Sequence, residues 1–143
     1  MSGTARLTRA LRAEGGLLAA ALRTPADPDA GSAPATDALP DEPLLAHVPP
    51  GPYALALAAV REGYRLHYMG GRVVDDADPD LALLGGDRLF ALALAELVTV
   101  GDLDAVTRLA DLIAECACAH ADEDQARAAA AWEAAVAAIA PPA

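Results

Sequence analysis

Residues 80–120, DLALLGGDRLFALALAELVTVGDLDAVTRLADLIAECACAH, constrain the fold more than any other part of the chain. Two apolar patterns at helical spacing meet at Val100-Gly101-Asp102. Residues that recur at three, four and seven form one stripe on a helix. Glycine just past one helix and aspartate just before the next are stop and start signals. The stretch therefore reads as an antiparallel helical hairpin. Asp80 is expected to cap its first helix, with Leu83, Leu84, Phe90 or Ala91, Leu94 and Leu97 on the apolar side. Asp102 caps the second, where Val106, Leu109, Ile113 and Cys116 share a face.

The remaining segments are placed around this hairpin. Gly51-Pro52 opens a helix from about Tyr53 to Tyr68, with Leu57, Val60, Tyr64 and Tyr68 on one side and Gly70-Gly71 ending it. A short extended segment, Arg72-Val73-Val74, leads into the acidic turn Asp75-Asp76-Ala77-Asp78-Pro79-Asp80. Asp122 with Gln125 forms a capping box for a last helix that carries Ala128, Trp132, Ala135, Val136 and Ile139. The expected fold is all-α: a bundle of about four helices over residues 51–143, with no internal repeat and no strand pattern of comparable strength.

Two further regions precede the bundle. Residues 1–23 carry Leu7, Leu11, Leu18 and Leu22 on one helical face and read as an amphipathic helical arm, capped by Thr4, that docks on its own domain. Gly15-Gly16 weakens its middle. Residues 24–50 hold seven prolines, at positions 25, 28, 34, 40, 43, 49 and 50, a density that no helix tolerates, and read as a linker. Leu44-Leu45-Ala46-His47-Val48 is the one apolar cluster able to pin that linker to the domain.

Charge narrows the function classes. Acidic residues outnumber basic ones 21 to 10, for a net charge of −11, and every basic residue is Arg. Such a surface repels phosphate backbones and anionic lipid, so neither nucleic acid nor a membrane surface is an expected partner. No stretch reaches the roughly 18 uncharged apolar residues of a spanning helix. Residues 15–22 form a short apolar run bracketed by Glu14 and Arg23, a poor match to a signal peptide. Cys116 and Cys118 lie two apart on one helix and point in different directions, so they do not pair. A reducing, cytoplasmic location is expected. With five aromatic residues in the chain, the core rests on Leu, Val and Ala, and stability leans on an oligomer or partner interface through Leu/Ala helix faces.

Three constellations are candidates for chemistry. Asp75 and Asp76 in the acidic turn are oxygen donors suited to magnesium or calcium, but no glycine and no closing glutamate complete a calcium loop, and helix capping is the structural alternative. Asp87 follows Gly85-Gly86 inside an apolar helix. Two glycines there cost about 1 kcal/mol each and imply a close approach by a neighbouring element. Asp87 is then expected to be at least half buried and bonded to Arg61, Arg65 or Arg108, either as a structural ion pair or as a ligand carboxylate. On the first alternative, Asp87→Ala costs roughly 3 kcal/mol or more. Cys116 and His120, four apart, share a helix face at a spacing that chelates a transition metal. A closed zinc site needs two more ligands, for which His67 and Glu123 are the nearest guesses, and buried thiols are the structural alternative. Serine occurs only at Ser2 and Ser32, and the chain has no nucleophile elbow and no phosphate-cradling glycine loop.

Leu83-Leu84-Gly85-Gly86-Asp87-Arg88-Leu89-Phe90-Ala91-Leu92-Ala93 resembles a segment of the trans-isoprenyl diphosphate synthases, or polyprenyl synthetases. The following helix, with Gly101-Asp102 at the turn and Ala114-Glu115-Cys116 near its end, is similar to that family's next helix. The resemblance covers about forty residues. It implies an all-helical, synthase-like fragment. The family holds magnesium and diphosphate on two Asp-Asp-x-x-Asp motifs. Asp75-Asp76 compares with the first of these, but Pro79 stands where its last aspartate belongs, about ten residues rather than some thirty separate it from Gly86-Asp87, and the usual arginine pair is missing. The second motif would lie beyond residue 143. The resulting expectation is a non-catalytic, acidic helical interaction or accessory subunit with no cofactor. The alternatives are a degenerate or split isoprenyl diphosphate synthase that uses magnesium, and a metal-binding helical protein.

Overall fold

A computed structural model describes residues 1–23 and 41–141. Six helices follow one another: α1 (Gly3–Glu14), α2 (Gly16–Ala20), α3 (Pro52–Tyr68), α4 (Pro79–Val100), α5 (Leu103–Ala121) and α6 (Gln125–Ile139). Among the described residues there is no strand, only an isolated bridge between Leu22 and Val74. The protein is all-α, and α3 to α6 form the expected four-helix body.

The centre of the molecule is α3, not the α4–α5 hairpin. Nearly every side of α3 is covered: Ala54, Ala56, Leu57, Ala58, Ala59, Val60, Gly63, Tyr64 and Leu66 are all buried. Helix α1 packs along one side and α4 along another. Small residues make this possible, because they let helix backbones approach closely. A methyl group on Gly63 would stand 2.9 Å from the Gly86 carbonyl oxygen and 2.8 Å from the Phe90 ring. One on Gly86 would collide with His67. The close approach expected from Gly85-Gly86 is thus the α3–α4 crossing.

That crossing corrects the apolar register assigned to α4. Its buried side is Ala82, Gly85, Gly86, Leu89, Ala93 and Leu97. Leu83 and Leu84 face outward; Leu84 is 69% exposed. Gly85 and Gly86 turn inward because the approach there leaves no room for a larger side chain, so Leu83 and Leu84 are displaced to the surface, whereas Leu97 is buried as expected and Leu89 with it. Phe90 and Leu94 lie half-buried at the edges.

The helix ends follow simple backbone chemistry, sometimes one or two residues from the expected position. Asp78, not Asp80, caps α4, accepting from the amides of Asp80 and Leu81, with Pro79 at the first helical position. Gly101 adopts a left-handed φ of 84° and closes α4, and Asp102 caps α5 through the Ala105 amide, as expected. Asp124 rather than Asp122 caps α6. Ser2 rather than Thr4 caps α1, because the Thr4 hydroxyl is bonded to Asp41. The N-terminal arm divides at Gly15 and Gly16, both at positive φ, into α1 and the short α2.

The arm docks on its own chain: Leu7 and Leu11 are fully buried and Leu18 nearly so. Residues 24–40 of the stretch read as a linker lie outside the described residues. Residues 41–48 pack as a strap. Asp41 accepts from the amides of Gly3 and Thr4, at 3.0 and 2.7 Å, which satisfies free N–H groups at the start of α1. Glu42 pairs with Arg61 and Arg65 of α3, and Leu45 and Val48 enter the core. No helix among the described residues is long and apolar enough to cross a membrane.

Candidate functional site

The residues singled out for chemistry fall in three places. Asp87 is the clearest correction. Its side chain is 72% exposed, and it lies 3.4 Å from the imidazole Nε2 of His67. None of the three candidate arginines reaches it. Arg61 and Arg65 both bond Glu42, at 2.9 and 3.1 Å, and Arg108 lies exposed on α5 beside Asp111 and Glu115. The glycines at 85 and 86 occupy the crossing, and the helix then rotates position 87 out to solvent. Asp87→Ala is therefore expected to shift stability by no more than about 0.5 kcal/mol, the range of surface substitutions, in a thermal melt.

Asp75 and Asp76 serve the backbone. Asp75 accepts from the Ala77 amide, and Asp76 bonds the Arg23 guanidinium at 3.0 Å and the Gly71 amide at 3.3 Å. Arg23 also donates to the Gly71 carbonyl at 2.9 Å. The acidic turn thereby latches the end of the N-terminal arm to the loop after α3. Among the described residues no group of three or more His, Cys, Asp and Glu side chains converges to hold a metal ion.

Cys116 and His120 come together with most of the chain's aromatic residues. Tyr64, Tyr68 and Trp132 gather with His120 at the junction of α3, α5 and α6. His120 Nε2 and the Tyr64 hydroxyl are 2.7 Å apart, and the imidazole stacks on Tyr68 with centroids 4.1 Å apart and planes 4° from parallel. Arg61 lies over Tyr64 and Trp132, 5.1 and 4.9 Å from their ring centres. A cavity of about 300 Å³ opens beside them, with Gln125 and Glu133 among its walls. Cys116 lies beneath it, and burial raises its thiol pKa to about 11. Trp132 is buried and its Nε1–H has no well-formed hydrogen bond among the described residues; its weak interaction with the Cys116 thiol opposes the effect of burial only slightly. A thiol whose pKa is raised by burial is a weak nucleophile at neutral pH.

Two features were missed from the sequence. The first is Glu62, a carboxylate only 3% exposed in the middle of α3. Its Oε1 accepts from the amides of Val73 and Val74 at 2.8 and 3.1 Å. Burial raises its pKa, opposed by those two amides and by Arg65. The second is the outer side of α4. Leu84, with Leu17 of α2 at 76% exposed and Leu81, lines an open groove of about 400 Å³ whose walls also include the paired Arg88 and Glu14. Further along the same helix Val98 and Val100 are exposed, next to Leu103 at the start of α5. The signal for this surface was available: from 89 to 100, α4 is apolar on nearly all sides and carries one charge, Glu96, which a helix with a single buried side does not need. No protein-family model, no curated protein and no solved structure matches the chain.

Proposed function

We propose that this chain is a non-catalytic helical interaction or accessory protein and that the outer side of α4 is its contact surface. The supporting observation is that Leu83, Leu84 and Val98 of α4 are exposed, although the inner side of the helix already buries Leu89 and Leu97 among its glycines and alanines. Large apolar side chains held out in water, Leu83 beside Leu84 and Val98 near Val100 and Leu103, mark places where another molecule sits. The acidic remainder of the surface, net −11, keeps the chain soluble and steers it away from nucleic acid. A photo-crosslinking residue at position 84 is expected to give a discrete protein adduct, and one at Asp111, exposed on α5 beside α6, none. Equal or absent adducts from both positions count against this reading.

The competing reading, a degenerate isoprenyl diphosphate synthase, needs Asp75 and Asp76 on a magnesium ion. Both carboxylates accept backbone hydrogen bonds instead, and Asp76 also holds Arg23. Incubation with magnesium and allylic diphosphates is expected to yield no product. Turnover that disappears on Asp75→Ala or Asp76→Ala would establish the enzyme in place of the interaction protein.

A further inference from the structure

We infer that the partner of the α4 surface is a second copy of this chain, packed antiparallel on the same helix about a two-fold axis at Leu92. The inference rests on the proposed contact surface and adds the identity of what covers it. Residues four apart on a helix form a continuous ridge. One such ridge of α4 reads Leu84, Arg88, Leu92, Glu96, Val100. Leu84, Arg88 and Val100 are exposed and Leu92 and Glu96 partly so. The order is apolar, positive, apolar, negative, apolar. Read backwards, it is the same with the signs exchanged. An antiparallel copy therefore sets Leu92 on Leu92, each Arg88 opposite the partner copy's glutamate at the Glu96 position, and Leu84 opposite the valine at position 100. A parallel copy would oppose like charges, and an unrelated helix has no reason to carry the reversed order.

The geometry permits the contacts nearest the two-fold axis, those of Leu92 and of Arg88 with the opposed glutamate. When such ridges interdigitate, helix axes cross at about 50° and lie about 8–10 Å apart. Arg88 and Glu96 are each one turn, about 6 Å along the axis, from Leu92. Side chains of that length bridge the separation. Glu96 is the only charge between Leu89 and Val100 and has no ion-pair partner among the described residues. Arg88 bonds Glu14 in its own chain, and a guanidinium with five donors accommodates a second carboxylate. The ridge itself is neutral, so the −11 charge of each copy is not concentrated at the contact. Two-fold symmetry makes each charge pair occur twice.

Sedimentation analysis of the full chain over a wide concentration range tests this. The expected result is a monomer–dimer equilibrium. Glu96→Arg should weaken it at least tenfold while leaving helicity unchanged. The double variant Arg88→Glu, Glu96→Arg restores opposite charges across the axis and should recover most of the loss. Leu84→Glu should also weaken the dimer, and its exposure in the monomer keeps that variant folded. A chain that stays monomeric, or a dimer indifferent to Glu96→Arg and to Leu84→Glu, overturns the inference. A monomer that still crosslinks through position 84 to a different protein overturns the second copy while leaving the interaction reading intact; loss of both adduct and dimer overturns both.

Discussion

Replacing Glu62 with Ala is expected to destabilise the protein by about 3 kcal/mol or more, because it leaves two buried amides, those of Val73 and Val74, without an acceptor. Each stranded donor costs about 1–3 kcal/mol, and the removed side chain leaves a void as well. The damage extends beyond the loop. Val73 and the residues flanking Val74 also bond the end of the N-terminal arm: the Arg23 amide donates to the Val73 carbonyl at 2.8 Å and the Asp75 amide to the Ala21 carbonyl at 2.7 Å. Amide hydrogen exchange should therefore accelerate both at 73–75 and at 21–23. Glu62→Gln keeps an acceptor oxygen and removes the charge. Burial raises the folded-state pKa of Glu62 above its ordinary value of 4.5. The folded protein thus holds this proton more tightly than the unfolded chain, and Glu62's contribution to stability falls as pH rises through the interval from 4.5 to the raised value. Melting temperatures of wild type and Glu62→Gln should converge at the acid end and separate above that interval, with the Gln variant the more stable. Parallel curves across the whole range would show that Glu62 carries no shifted proton.

The elements were legible because each one states its period and its ends. The 100–102 turn, the α5 cap at Asp102 and the buried stripe of Ala128, Trp132, Val136 and Ile139 on α6 follow from spacing and capping alone. The side on which α4 is buried did not follow. Periodicity identifies apolar residues, and α4 is apolar nearly all round, so Leu83 and Leu84 were assigned to the buried side together with Leu97, the one of the three that is buried. Only the crossing with α3, where Gly63 meets Gly86, decides that small residues go inside. Helix α3 was read as one member of a bundle, yet it is the element buried on nearly every side, chiefly by α1 and α4, a property of tertiary arrangement that its own sequence does not state.

The chemistry was less legible, and for related reasons. Arg61 and Arg65 were offered as partners for Asp87, but the carboxylate they bond is Glu42, within a proline-rich stretch whose later part folds back as a strap. Asp87 was assigned to the interior because glycines preceded it; the glycines do mark a close approach, and the next position simply rotates out. Glu62 carried no local signal, since one Glu in an Ala-rich helix looks like a solvated residue. Its partners, the amides of Val73 and Val74, are eleven and twelve residues away and become visible only when the loop folds back on α3.

Gly63→Val tests the α3–α4 crossing, and it is expected to cost up to about 3 kcal/mol. By helix propensity alone the change is nearly neutral, since valine is a better helix residue than glycine by a few tenths of a kcal/mol. Packing decides the opposite sign. Even the first carbon of a side chain would stand 2.9 Å from the Gly86 carbonyl oxygen, which is backbone and cannot rotate away, and 2.8 Å from the Phe90 ring. To admit it, α4 must move outward or Phe90 must leave its place against His67, whose ring it meets edge-on at 5.1 Å. Overpacking of a tight core costs about 1–3 kcal/mol, and the two β-branched methyl groups place this site at the upper end. Displacement of α4 would also move the ridge centred on Leu92. The same variant should therefore lower the melting temperature and weaken the dimer together, whereas Glu96→Arg weakens the dimer alone. A Gly63→Val protein with an unchanged melt would mean that α3 and α4 do not meet at Gly63 and Gly86.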